Sequence, residues 1–326
     1  MDNQSEKVIL FPKWRTALEE ESLAALKDQR FDEALLKLDE LIAYGVLDHE
    51  IVIGKLICLM ELNRYHDAQD LCEELLLHPD EHYYHYVHIY LTILFQTSQY
   101  EQLMSQVEMD LASAAVPPEM KEQFRQLYDM SSNMQQEIRT EKSTEYINEL
   151  LKAVKEGDHP RQYRSVEQIR RLKSSPTDDV LLLLKDDQVH PVTKTAIFMW
   201  LQETGVNEKV LIEKLGIQVE TRPTDITELD SHPVLKQTRL IISELEQENP
   251  SLYRLMEQLM YHYFYVRYPA MPDRGNVESI ARALTKIGEE YLDIELQKTV
   301  EENRQVVNYM KEIKTCGALF AAVLET

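Results

Sequence analysis

Three stretches in the first third of the chain carry the same alternation of apolar and polar positions. They are LKDQRFDEALLKLDELI (26–42), MELNRYHDAQDLCEELL (60–76) and FQTSQYEQLMSQVEMDL (95–111). Each contains an aromatic residue, Phe31, Tyr65 or Tyr100, followed three positions on by Ala34, Ala68 or Leu103 and four further by Leu38, Cys72 or Val107. Apolar residues at i, i+3 and i+7 share one face of a 3.6-residue helix. The segment before each stretch has a stripe of its own: Val52, Leu56 and Leu59 in the second unit match Val87, Leu91 and Leu94 in the third, and the first offers Leu18, Ser22 and Ala25. The pattern predicts two helices per unit. Its period is 34 residues from Ala34 to Ala68 and 35 from Ala68 to Leu103. A unit of that size cannot bury its own apolar face, so the core is expected to form between stacked units. Alanine at 34 and 68 permits close helix approach, and the aromatic three residues earlier fills the wedge.

A two-helix repeat near 34 residues with this Tyr-x-x-Ala core resembles the tetratricopeptide-repeat family. The resemblance covers roughly residues 14–112 by repeat counting. Unit three departs from it, with Leu103 for alanine and Asp110 where a small or apolar residue is usual, and the family's first-helix Trp and Gly are missing from all three units. The whole chain is also similar to cytosolic tetratricopeptide proteins of Gram-positive bacteria. In this family the first helix of each unit lines a concave groove that binds protein or peptide. Carried over, the groove positions are Thr16, Glu19, Leu23, Leu26 and Lys27; then Glu50, Ile53, Ile57, Met60 and Glu61; then His85, His88, Thr92, Phe95 and Gln96. Relatives that clamp a peptide carboxylate present Lys and Asn there, whereas only Lys27 is cationic here. The implied ligand is an apolar helix or extended segment, with basic residues to meet Glu19, Glu50 and Glu61. The alternative for Ile53, Ile57 and Met60 is packing against the chain's own N-terminal arm at Val8–Phe11.

Beyond the repeats, Met120, Phe124, Leu127, Ser131 and Met134 form a stripe that begins after Pro118 and reads as a capping helix. Ile147, Leu150, Leu151 and Val154 mark a second helix ending at Gly157, and the polar residues 139–145 between them read as a hinge. Helices are predicted at 162–173, 177–186 and 191–204, then at 233–248, 250–267, 277–292 and 294–314. Between the two sets the period changes: Val210–Glu213 and Ile217–Glu220 alternate around Gly216, which predicts a small β-hairpin. The expected architecture is mainly α. It comprises an N-terminal arm (1–13), three tetratricopeptide-like repeats (14–116), capping and connecting helices (117–157), and a C-terminal helical domain (158–326) with its hairpin near 209–221.

Composition narrows the function. Of 326 residues, 44% are hydrophobic and only 8 are Gly, which suits packed helices. No apolar run approaches the roughly 20 residues that span a bilayer. The N-terminus has no basic n-region or long apolar stretch, so it does not read as a secretory signal. Three scattered cysteines, Cys58, Cys72 and Cys316, make no disulfide framework, and a cytoplasmic location is the simplest expectation. A net charge of −22 repels phosphate backbones and anionic membranes and attracts basic partners. Neither a membrane nor nucleic acid is therefore an expected partner.

Four places carry candidate chemistry. EHYYHYVHIY (81–90) holds three histidines and four tyrosines in ten positions. His85 and His88 could chelate at i, i+3 with His82 one step back, but no Cys or well-placed carboxylate nearby completes a set. No metal is therefore expected, and the histidines read either as solvated and tyrosine-capping or as groove contacts. HPRQYRSVEQIRRLKSS (159–175) is the one basic island, with Arg161, Arg164, Arg170, Arg171 and Lys173. It admits RNA or another phosphate ligand, but Val166, Ile169 and Leu172 interleave as a buried stripe, which favours an intramolecular salt-bridge surface. YHYFYVRYP (261–269) reads as helix packing. The motifs of phosphate-binding loops, dinucleotide folds, zinc proteases and hydrolase elbows do not occur. The expected function is a non-enzymatic interaction scaffold that needs no cofactor. The other readings are the basic segment 161–173 as a phosphate or RNA site, and an enzyme with its site between the two halves.

Overall fold

The structure is a computed structural model that describes residues 11–113, 116–294 and 303–324. Most of the expected N-terminal arm, residues 1–13, lies outside them. Six helices of 12 to 16 residues come first: α1 (Pro12–Lys27), α2 (Phe31–Ala43), α3 (His49–Glu61), α4 (Tyr65–Leu76), α5 (Tyr83–Gln96) and α6 (Tyr100–Leu111). A long α7 (Pro118–Glu156) follows, then α8 (His159–Arg171), α9 (Asp178–Leu183) and α10 (Pro191–Glu203). After the strands β1 (Val210–Lys214) and β2 (Ile217–Thr221) come α11 (Pro233–Ser243), α12 (Pro250–Arg267), α13 (Val277–Leu292) and α14 (Arg304–Leu324). The chain forms two compact units that divide between Ile138 and Arg139, inside α7.

In the first unit every pair of helices turns in the same way. Gln29, Asn63 and Ser98 sit in the left-handed region at φ 57°, 57° and 58°. The amide of the next residue reaches back to the last turn of the first helix: Arg30 to Ala25, Arg64 to Leu59 and Gln99 to Leu94, each at 2.8 Å. The left-handed residue's own amide bonds Leu26, Met60 or Phe95 at 3.0–3.1 Å. This pair of bonds is the Schellman C-cap, which satisfies carbonyls that a helix end leaves unpaired. With the turn set, Ala34, Ala68 and Leu103 become fully buried, as do Cys72 and, nearly, Leu38 and Val107. Phe31 and Tyr65 are half-buried and Tyr100 is buried, as wedge residues should be. Gly54 serves contact between units, since a Cβ there would sit 3.3 Å from Leu38 Cδ1. Asp110, the odd residue of unit three, is buried because the Tyr83 hydroxyl donates to its Oδ1 at 3.2 Å and Gln106 Nε2 to its Oδ2 at 2.8 Å.

α7 corrects the expectation of two helices with a hinge at 139–145: the helix is continuous there. Polar composition alone does not break a helix. The segment RTEKSTE contains no Gly or Pro, Ser143 is buried, and the Thr144 hydroxyl bonds the Thr140 carbonyl within the helix at 2.9 Å. Phe124 and Ser131 bury as expected, but Met134 is exposed.

The second unit packs α8–α14 and the hairpin around α10, on which Val192 through Phe198, Trp200 and Leu201 are all buried. The hairpin pairs Val210 with Thr221 through Lys214 with Ile217. Its loop is Leu215-Gly216 at φ 53° and 72°, the two positive values that a type I′ turn requires. Lys214 is buried and donates to Thr195 Oγ1 at 2.6 Å and to the Tyr268 carbonyl. Helix bounds differ from expectation by a few residues at α8 (159–171 for 162–173) and α9 (178–183 for 177–186), and by more at two places. α11 ends at Ser243, because the chain turns so that Asn249 can cap α12 by accepting the Leu252 amide at 3.1 Å. The last described helix is 304–324 and runs ten residues past the expected end at 314, with Cys316, Phe320 and Val323 buried beyond that point; residues 295–302 of the expected 294–314 helix lie outside the described residues. The aromatic run in α12 is core, as expected: Tyr263, Phe264, Tyr265 and Val266 are buried and His262 stacks on Phe320 at 3.9 Å.

Two predictions follow from these caps. Gln29→Gly removes a Cβ from a left-handed position and should raise stability to urea by about 0.5–1 kcal/mol, with Asn63→Gly gaining less because Asn tolerates that region; a loss at Gln29 would contradict the cap. His190 caps α10 by accepting the Val192 amide on Nδ1, which requires a neutral ring. Burial first, then neighbouring His159, pushes its pKa from 6.5 down to about 4. The unfolded chain therefore takes up a proton that the folded chain refuses, and the stability from the neutral cap is full above pH 6.5 and lost as pH falls toward 4. The slope it adds approaches about 1.4 kcal/mol per pH unit. His190→Asn keeps a capping acceptor without the titration, so denaturation across that window should show a shallower pH dependence than wild type.

Candidate functional site

The positions carried over from the resemblance fall on α1, α3 and α5. Thr16, Leu23, Lys27, Glu50, Ile57, Glu61, His85 and Gln96 are exposed. Glu19, Leu26, Ile53, Met60, His88, Thr92 and Phe95 are half-buried. Among these positions the exposed large apolar side chains are Leu23 (52% exposed) and Ile57 (43%), with Ile53 and Met60 beside the core cluster of the first unit; Trp14, Leu36 and Leu47 are also exposed apolar residues of the repeats. Glu19 is held by Arg15 at 2.6 Å, and the same guanidinium reaches Asp48 just before α3, tying the start of one unit to the next.

The third unit differs from the expected groove wall. The His88 ring stacks parallel to Phe124 of α7 with centroids 6.5 Å apart and planes 13° apart. Burial, and then His85, lowers its pKa. The Thr92 hydroxyl donates to the His88 carbonyl at 2.8 Å. His88 is engaged by α7 and Thr92 by α5 itself, while His85 lies beside His82 and His49.

His49 is the residue that local reading misses. It begins α3, 33 positions before His82, so nothing in the 81–90 stretch points to it. Stacking of α3 on α5 brings its ring 3.8 Å from His82 and 5.5 Å from His85, while His82 and His85 lie 6.1 Å apart. His49 Nδ1 is 3.1 Å from the Tyr86 hydroxyl. One nitrogen from each of the three histidines lies within 4.8 Å of the others. The only available signal was the repeat period, which sets the first turn of α3 beside the first turn of α5.

The basic island and the two buried lysines of the second unit are largely engaged within the fold. In the basic island Arg170 binds Glu167 and Glu203, and Arg161 reaches Glu149 at 3.6 Å and Glu156 at 3.4 Å, with Val166 and Ile169 buried between. That is the intramolecular salt-bridge surface the interleaved stripe implied, while Arg164, Arg171 and Lys173 are exposed. A cavity of about 300 Å³ in the second unit is lined by Asp187, Lys194, Glu213, Lys214 and Gln218 among others. Its two lysines are buried, and both are occupied: Lys214 as described, Lys194 by the Glu213 carbonyl. Burial lowers the pKa of each.

Comparison with curated proteins finds the TPR repeat-containing protein YsoA of Bacillus subtilis (strain 168), 31% identical to this chain over 302 residues, which is 91% of this chain and 90% of that protein. No family model matches the chain. Among the described residues no helix is long and apolar enough to cross a membrane.

The cysteines provide a direct check on nucleophilic chemistry. Burial pushes Cys58 up to about 11 and Cys72 and Cys316 up to about 12, and all three are free thiols. A reactive cysteine needs a lowered pKa and access. Thiol labelling near pH ~8 should be at least about tenfold slower in the native protein than in urea, where three equivalents should react; rapid labelling of any one in the native state would revive a nucleophile.

Proposed function

The chain belongs to the tetratricopeptide-repeat family, and on that premise we propose that it is a non-enzymatic scaffold that binds a protein segment along the first helices of its repeats. The observation that carries the reading is the apolar surface of Leu23 and Ile57, continued by half-buried Ile53 and Met60, at positions that the repeat packing leaves open. Leaving large apolar groups in water is unfavourable at roughly 25 cal/mol per Å², so a surface of this kind gains when a partner covers it. Glu50 and Glu61 are exposed on the same helix, and the chain as a whole carries −22. The favoured ligand is therefore an apolar helix or strand flanked by Lys or Arg. Burial supplies its affinity, and the charged rim sets the rate and register of encounter. The competing occupant is the arm at Val8–Phe11, of which Val8–Leu10 lie outside the described residues.

The test is capture from native lysate by tagged wild type and by Ile53→Glu/Ile57→Glu, with circular dichroism to show that both are folded. The expected result is a partner held by wild type and lost from the variant. A peptide from it should bind at least about tenfold more weakly to the variant, and to wild type more weakly as salt rises. Deletion of residues 1–10 separates the alternatives: tighter peptide binding means that the arm competes for the surface. Equal capture by wild type and variant would remove the groove from the function.

A further inference from the structure

The three imidazoles of His49, His82 and His85 come from two different repeats yet converge on one point. His82 and His85 belong to the start of α5, one at its N-cap and one in its first turn, at i and i+3. His49 is the first residue of α3. One ring nitrogen from each lies within 4.8 Å of the other two. Tetrahedral zinc with Zn–N bonds of about 2.0–2.1 Å holds its ligand atoms roughly 3.3–3.4 Å apart. Closing from the present spacing to that one asks for at most about 1.5 Å of movement. His49 and His82 are half-buried and His85 is exposed, so rotations of the side chains alone can make it, and the exposed side gives an ion a path in.

We propose that His49, His82 and His85 form a binding site for a divalent transition-metal ion that bridges the second and third repeats. Three neutral imidazoles are the donor set of zinc, and also of cobalt, nickel and copper, whereas magnesium and calcium require oxygen ligands. Three protein ligands leave a fourth position for water or for a group brought by a partner. The surroundings supply what ligating histidines need: the Tyr86 hydroxyl meets His49 Nδ1 at 3.1 Å, and Asp80 Oδ1 fixes the start of α5 by accepting the His82 amide at 2.8 Å. Glu81 lies 3.6 Å from His82 Nε2, and Asp80 and Glu50 are the carboxylates whose charge acts on His49, so the cluster has acidic oxygens beside it. Because the ligands lie on separate repeats, occupancy locks α3 to α5. The site does not rest on the groove reading: its ligands lie at the first turns of α3 and α5, and it shares only His85 with the carried-over groove positions.

The full chain, stripped with chelator and dialysed, is titrated with Zn²⁺ by calorimetry and with Co²⁺ as a visible-absorption probe. The expected result is one ion per chain with Kd of about 10 μM or tighter, a Co²⁺ spectrum of low coordination number, and a Zn²⁺-dependent rise in melting temperature. His49→Ala and His85→Ala should each weaken binding at least about tenfold and abolish the thermal shift. His66→Ala, on an exposed histidine of α4 beside Asp70, should leave both unchanged. Circular dichroism establishes that each variant is folded, and His49→Gln, which keeps size and polarity, repeats the loss if His49 ligates. Wild-type binding weaker than about 100 μM, or His49 variants that bind as wild type does, would overturn the site. So would loss in His88→Ala with His49→Ala intact, since that assigns the ion to the local i, i+3 pair.

Discussion

A pair of helices of 12 to 16 residues has one apolar stripe on each member and nothing of its own to cover both. The first unit depends on that deficit. Everything in it follows from making helices close enough to exclude water: the fully buried Ala34 and Ala68, the missing side chain at Gly54, and the left-handed turn that brings each second helix back along the first. Leu103 occupies the alanine position of unit three without breaking the pattern, and it is as fully buried as the alanines. The turn is met by Gln29, Asn63 and Ser98, three different residues in one backbone conformation, so packing across the repeat imposes the conformation and the local residue tolerates it.

The second unit meets its polar burden differently. Where the repeats bury almost only apolar groups, α10 and the hairpin enclose two lysines, and Gln162 bonds across to the loop before α10. A buried amine without partners is expensive. Lys214 escapes that cost through Thr195 and the Tyr268 carbonyl, which join β1, α10 and the end of α12 in one place. Polar groups shared in this way specify one arrangement of three elements more tightly than apolar contact does. The same engagement makes these lysines parts of the fold.

The proposed groove positions and the histidine cluster bring two kinds of chemistry to the repeats. Apolar Leu23, Ile53 and Ile57 lie on α1 and the middle of α3, whereas nitrogen donors gather at the first turns of α3 and α5. The His88 ring and the Thr92 hydroxyl, expected on the wall, are engaged by Phe124 and by α5 itself. The third repeat therefore gives the surface less than the repeat pattern implied, because α7 packs against it.

The sequence by itself determined what is periodic. The 34- and 35-residue spacing located the repeats, the 3.6-residue stripes located most helices, and the change to period two around Gly216 located the hairpin, because these signals lie within one element or recur at a constant interval. It read the 139–145 segment wrongly, since polarity resembles a hinge when no neighbour is visible. It also ended the last helix ten residues short, at 314, because only packing decided that Cys316, Phe320 and Val323 face the core. Tertiary structure alone decided the long-range pairs: Asp110 with Tyr83, Lys214 with Tyr268, and His49 with His82 and His85. Those contacts join positions 27 to 54 residues apart, and the register between stacked helices that creates them is a property of the assembled core that no single stretch of the chain contains.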